Sequence, residues 1–172
     1  MDNNCRFPQE FHMPRYNEIP DIDLYMDQLL VYIEKVLSPI NMTPSEKILT
    51  TSMVNNYVKL GLLPPTVKKK YSREHVAGLI VICIAKQIYT MQEIGKLISV
   101  QRYFFDMETS YNYICTELEN VLKSTFSNQQ LPKDSGTSNE TARLLVRNST
   151  IAFAHKLYTK KLCDELYNSI EQ

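Results

Sequence analysis

Residues 75–89 read HVAGLIVICIAKQIY, and from Val76 to Ala85 the run is apolar almost without interruption. A segment with no polar stripe cannot lie on a surface, so the rest of the chain has to wrap around it. The β-branched pair Val81-Ile82 would suit a strand, but the length of the run argues for a helix. Ser72 is its expected N-cap, and its end is expected near Ile88. The run is far short of the roughly 20 apolar residues that a membrane-spanning helix needs. The 172 residues suffice for one domain with a core, or a small module with a helical extension. With 44% hydrophobic and 22% charged residues the composition is ordinary for a soluble globular protein, and only 4 glycines argue against a turn-rich β fold. An all-α helical bundle is expected.

Other punctuation divides the chain around this helix. Residues 1–20 carry Pro8, Pro14 and Pro20 without a clear period and read as an extended arm. A leading helix is expected from near Asp21, with Tyr25, Leu29, Ile33 and Val36/Leu37 as its apolar stripe, stopped by Ser38-Pro39; it fills 21–42. Thr43-Pro44-Ser45-Glu46 has the form of a capping box and predicts a short helix to about Leu49. Thr50 then caps a second helix over Thr51–Leu60, and Gly61 suits a left-handed stop. Two short helices so close together make a helix-turn-helix. Pro64-Pro65 excludes helix, leaving Thr66–Tyr71 as an extended segment, and the module with its wing occupies 43–100. Thr90-Met91-Gln92-Glu93 predicts another helix to about Ser99. In the C-terminal helical region, 101–172, helices are expected over Asp106–Phe126 and about Asn139–Ile170, separated by the polar loop SNQQLPKDSGTSN.

Charge is distributed unevenly along a chain with no net charge. Residues 1–42 hold 3 basic and 7 acidic side chains, residues 43–75 hold 6 and 2, and residues 76–172 hold 10 and 10. A local basic block attracts polyanions even when the average hides it. Cys5, Cys83, Cys115 and Cys163 form no metal-ligand spacing and fit a reducing compartment, Cys83 and Cys115 as buried small hydrophobes. Met1–Glu10 is polar and lacks a secretion signal, so the expected location is the cytoplasm. His12, His75 and His155 are isolated, and no phosphate loop, nucleophile motif or metal motif occurs, so neither an enzyme nor a cofactor is expected. His75, in the first turn of its helix, is expected to be a packing or surface residue. The aromatic group Tyr103-Phe104-Phe105 with Tyr111 and Tyr113 is expected in the bundle core rather than around a ligand.

The stretch Leu49–Ile98 resembles the DNA-binding half of the MerR family of transcription regulators. The resemblance is carried by Leu49-Thr50, Met53-Val54-Asn55-Asn56-Tyr57-Val58, Gly61-Leu62-Leu63, Lys69-Lys70-Tyr71, the helix from Ser72, and Ile88-Tyr89-Thr90-Met91-Gln92-Glu93-Ile94. The family's helix Arg and first Tyr fall on Asn55 and Asn56, and the wing is shortened. The whole chain, through PDIDLYMDQL and MVNNYVKLGLLPP…KKKY, more closely resembles a bacterial domain family of similar length with no assigned activity.

The MerR-like resemblance implies a winged helix-turn-helix with a short wing. Its second helix would enter the major groove of double-stranded DNA with Thr51, Ser52, Asn55, Asn56 and Lys59. Lys68, Lys69, Lys70 and Arg73 would hold phosphates. Such a regulator would act as a homodimer, and its two-fold symmetry predicts an inverted-repeat site. An effector ligand is not specified. The alternative is a protein-interaction module on the same helical fold that does not bind DNA, favoured by the acidic first forty-two residues and the neutral total charge.

Overall fold

A computed structural model describes residues 11–136 and 140–171. Among these the chain is all-helical, with six α-helices and no β-strand, only two isolated bridges. The helices are α1 (Met26–Leu37), α2 (Thr51–Lys59), α3 (Arg73–Ala85), α4 (Met91–Phe104), α5 (Met107–Ser127) and α6 (Glu140–Ile170). The chain divides into two compact units: one covers Pro14–Asn112, the other runs from residue 113 onward and includes residues 11–13. The expected arm 1–20 falls partly on residues 1–10, outside the described residues, as does Cys5. No helix among the described residues is long and apolar enough to cross a membrane.

In the first unit α3 is the central helix, as its composition demands. Leu79, Ile80, Ile82 and Cys83 are wholly buried, and α1 packs on it with Leu29, Ile33 and Leu37. Burial pushes the Cys83 thiol up to about 12, against the pull of the Lys86 ammonium, so the sulfur is a neutral core atom. Gly78 allows the close approach of Leu63, because a Cβ there would stand 2.9 Å from Leu63 Cδ2.

Three elements differ from the expectation. First, α1 begins at Met26 rather than near Asp21. Leu24 is withdrawn from any helix because it pairs with Tyr71 in both directions, each N–H donating to the other's carbonyl at 2.9 Å. Second, the short helix expected from Thr43 to Leu49 does not form. Thr43–Glu46 closes a single turn, with the Glu46 N–H donating to the Thr43 carbonyl at 2.9 Å. The Asn41 side chain takes both backbone groups of Thr43, at 3.0 and 3.2 Å. Ile48 lies in a bend outside any helix: its carbonyl accepts from Lys86 Nζ, and its N–H donates to Glu34 Oε2 at 3.4 Å. The six residues Pro44–Leu49 before the cap at Thr50 are also too short a stretch to hold a helix without tertiary support. The helix preceding α2 is therefore α1, joined to it through residues 38–50. Third, α4 runs on to Phe104, five residues past the expected end, and Tyr103 and Phe104 are exposed (83% and 46%) rather than in the core.

In the second unit α5 and α6 grip the loop between them through a polar network. Glu117, wholly buried, accepts from Arg147 Nη1 at 2.6 Å, from the Ser135 hydroxyl at 2.6 Å and from the Ser135 N–H at 3.1 Å. Asp134 accepts from the Tyr113 hydroxyl at 2.9 Å and pairs with Arg143 at 3.1 Å. The Phe126 ring meets Tyr158 edge-on at 5.1 Å between centroids.

Candidate nucleic-acid interface

The α2 helix is built by local rules at both ends. Thr50 has extended backbone (φ −125°, ψ 159°) and its Oγ1 accepts from the Met53 N–H at 3.3 Å. At the other end Gly61 takes φ +71°, the Leu62 N–H reaches back to the Tyr57 carbonyl, and the Gly61 N–H reaches the Val58 carbonyl, both at 3.0 Å. This is a Schellman stop, for which glycine is the favoured residue. Tyr57 and Val54 are buried against the core. Burial lifts the Tyr57 phenol to about 12.

The five helix positions singled out from the sequence share one face. At about 100° per residue, Thr51, Ser52, Asn55, Asn56 and Lys59 fall within an arc of roughly 140°, opposite Val54 and Tyr57. All five are exposed.

Leu62 and Leu63 plunge into the core after the Gly61 stop, and Arg102 Nη2 donates to the Leu62 carbonyl at 3.0 Å. The chain then leaves the core in a short turn. Val67 and Lys70 form a single antiparallel bridge, the Lys70 N–H donating to the Val67 carbonyl at 3.0 Å. Lys68 and Lys69 between them have φ +50° and +58°. Two positive φ values inside a two-residue loop define a type I′ turn, where Asn-Gly or Gly-Gly is the usual choice. Lysine at both positions is strained, because the left-handed region costs an L residue about 1–2 kcal/mol. Lys68 and Lys69 are exposed at the tip and Lys70 is half-buried.

The turn returns to the core at Tyr71, which is buried, and burial raises its phenol above the ordinary value. His75 braces the two ends of the excursion. The Ser72 N–H donates to His75 Nδ1 at 3.2 Å, which fixes Nδ1 as the acceptor. Nε2 therefore carries the hydrogen and donates to the Pro64 carbonyl at 3.1 Å. The His75 ring also stands edge-on to Tyr71, 5.7 Å between centroids.

The turn is braced by the segment before α1, expected from the sequence as an arm and a helix start. Tyr71 pairs with Leu24, and Lys70 Nζ lies 5.1 Å from the centroid of the Tyr25 ring. Arg73 is half-buried and engaged with the segment before α1. It pairs with Asp21 at 2.9 Å, donates from Nε to the Ile19 carbonyl at 3.2 Å and lies over the Tyr16 ring at 5.7 Å. The structure thus joins Lys68, Lys69 and Lys70 in one turn, sets the five α2 residues on one face, and engages Arg73 with the segment before α1. Sequence reasoning missed Leu24, Tyr25 and His75 in this assembly. The Ser72–His75 spacing is a local signal that could have found His75, whereas nothing in the sequence near residue 24 points to residue 71.

These features define an all-α unit that carries a short, braced basic turn and, on α2, an exposed polar helix face. The chain belongs to the family described as domain of unknown function (DUF1836), whose model matches residues 14–116 and so coincides closely with this first unit. No curated protein and no solved structure matches the chain.

Proposed function

We propose that the protein is a cytoplasmic transcription regulator that binds double-stranded DNA through a MerR-like arrangement, with α1, the link 38–50 and α2 standing for the helix-turn-helix and residues 64–73 for its wing. The observation that carries this reading is the lysine pair in the type I′ turn. Backbone strain persists where side chains are needed for something other than the turn, and Lys68 and Lys69 hold positive φ while extending their ammonium groups from the tip. Such groups attach to phosphate and displace counterions, whatever the base sequence.

The α2 face supplies the groups that read bases. Asn55 and Asn56 can each bond an adenine edge bidentately, and Thr51 and Ser52 lie in the first turn, the part of a recognition helix that comes nearest the bases. Lys59 extends the same face toward phosphate. A homodimer on an inverted repeat follows from the usual symmetry of such regulators. A second reading, an interaction module for another protein on the same fold, is favoured by the Asp21–Arg73 pair, which balances one of the basic side chains of residues 43–75 with an acid from the leading segment.

Selection of bound duplexes from a random-sequence library by the purified protein separates the two. Enrichment of an inverted repeat, lost in a Lys68→Glu/Lys69→Glu/Lys70→Glu variant that still folds, is the expected result. A library left unenriched by the wild-type chain would overturn the DNA reading and leave the interaction module.

A further inference from the structure

Two cations flank Tyr71 at a short distance in sequence, Lys70 and Arg73, and the leading segment holds both by different chemistry. Arg73 meets the Asp21 carboxylate at 2.9 Å. A carboxylate cancels the charge it binds. Lys70 meets the Tyr25 ring, 5.1 Å from its centroid. An aromatic quadrupole attracts an ammonium without neutralising it, so the group keeps its full charge for an anion on its other side.

Tyr25 is built for this task. The bridge between Leu24 and Tyr71 sets the register that brings residue 25 beside residue 70. Tyr25 is the N-cap position of α1, in extended conformation at φ −78° and ψ 163°. Its N–H donates to Gln28 Oε1 at 2.9 Å, so its backbone is fixed while the residue is 54% exposed.

We propose that Tyr25 is a positioning residue for polyanion binding: its ring holds the Lys70 ammonium at the wing with its charge intact, while Arg73 is the tie that fastens the leading segment to α3. This rests on the nucleic-acid reading above, and it adds to that reading a residue outside the helix-turn-helix. It also explains why Lys70, alone of the three lysines, is half-buried and yet part of the basic turn.

The test is a double-mutant cycle in the full chain, read by anisotropy of a labelled random-sequence DNA duplex. Tyr25→Leu keeps the apolar bulk and removes the quadrupole; it is expected to weaken binding about threefold. Tyr25→Phe, which keeps the ring, should bind like the wild type. Tyr25→Leu added to Lys70→Ala should change nothing beyond Lys70→Ala alone. In parallel, the Lys70 ε-methylene proton resonances should lose their ring-current shift in Tyr25→Leu and keep it in Tyr25→Phe. A wild-type chain that binds the duplex while Tyr25→Leu weakens it equally with and without Lys70, or while Tyr25→Phe is as weak as Tyr25→Leu, would overturn the role of Tyr25 alone. A wild-type chain that binds no duplex would overturn the DNA reading and this role with it.

Discussion

Lys69 at φ +58° carries a side chain where the backbone favours glycine. Replacing it should therefore split stability from binding. Lys69→Gly is expected to raise stability by about 1 kcal/mol through relief of the left-handed strain, and to weaken DNA binding by the loss of one phosphate contact. Urea unfolding and duplex affinity measured on the same sample check both halves. Gly61 gives the opposite case. Its φ is +71° and nothing lies within 4 Å of an added Cβ, so Gly61→Ala meets conformational strain without a clash. That substitution should cost about 1 kcal/mol, seen as a lower urea midpoint with unchanged slope. The Gly61 stop was legible in the sequence because it follows from one residue's freedom of φ. The strain at Lys68 and Lys69 was not, because lysine alone never signals a positive φ.

At the scale of elements, Thr43–Glu46 and Thr90–Glu93 carry the same Thr-x-x-Glu pattern, and of these two only the second becomes a helix start. Thr90 accepts from the Glu93 N–H at 3.3 Å while Glu93 accepts from the Thr90 N–H at 2.8 Å, and the 14 residues of α4 follow. Behind Thr43 there is no such length, and Asn41, Glu34 and Lys86 claim the backbone groups that a helix would have used. A local pattern thus predicts a helix end well but cannot see a competing partner from distant sequence. The same limit hid the late start of α1, which is set by the pairing of Leu24 with Tyr71. The α2 face was readable because it depends on helical period and on two local caps. Thr50→Ala should remove one of those caps and destabilise the protein by about 1 kcal/mol. Hydrogen exchange should then accelerate at the Met53 amide, which donates to Thr50, before it accelerates in α3.

At the scale of the whole molecule, both units have apolar cores, and the second also buries the Glu117 carboxylate, paired with Arg147. Removing one member of a buried pair leaves the other without compensation, so Glu117→Ala should destabilise the second unit by about 3 kcal/mol; thermal unfolding followed by circular dichroism checks this. Asp134 adds a pH dependence. Its burial pushes the carboxyl up, but the Gly136 N–H, the Tyr113 hydroxyl and the Arg143 and Arg147 guanidiniums outweigh that and hold it below the usual carboxylate range. A lowered folded value means that its contribution is fully present above the unfolded carboxylate value, about 3.9, and is lost as pH falls through the lower folded value. The urea midpoint should therefore drop on acidification below about pH 4, and less so in Asp134→Asn.

The proposed function turns on whether the braced lysine turn meets phosphate. Affinity for a random-sequence duplex, followed from about 50 to 200 mM salt, addresses this directly, because each phosphate neutralised adds about 0.9 to the slope of log affinity against log salt. Wild-type binding should fall steeply with salt, and a Lys68→Ala/Lys69→Ala/Lys70→Ala variant should show a slope flatter by roughly two to three. An unchanged slope in that variant, with binding retained, would contradict the role assigned to the wing.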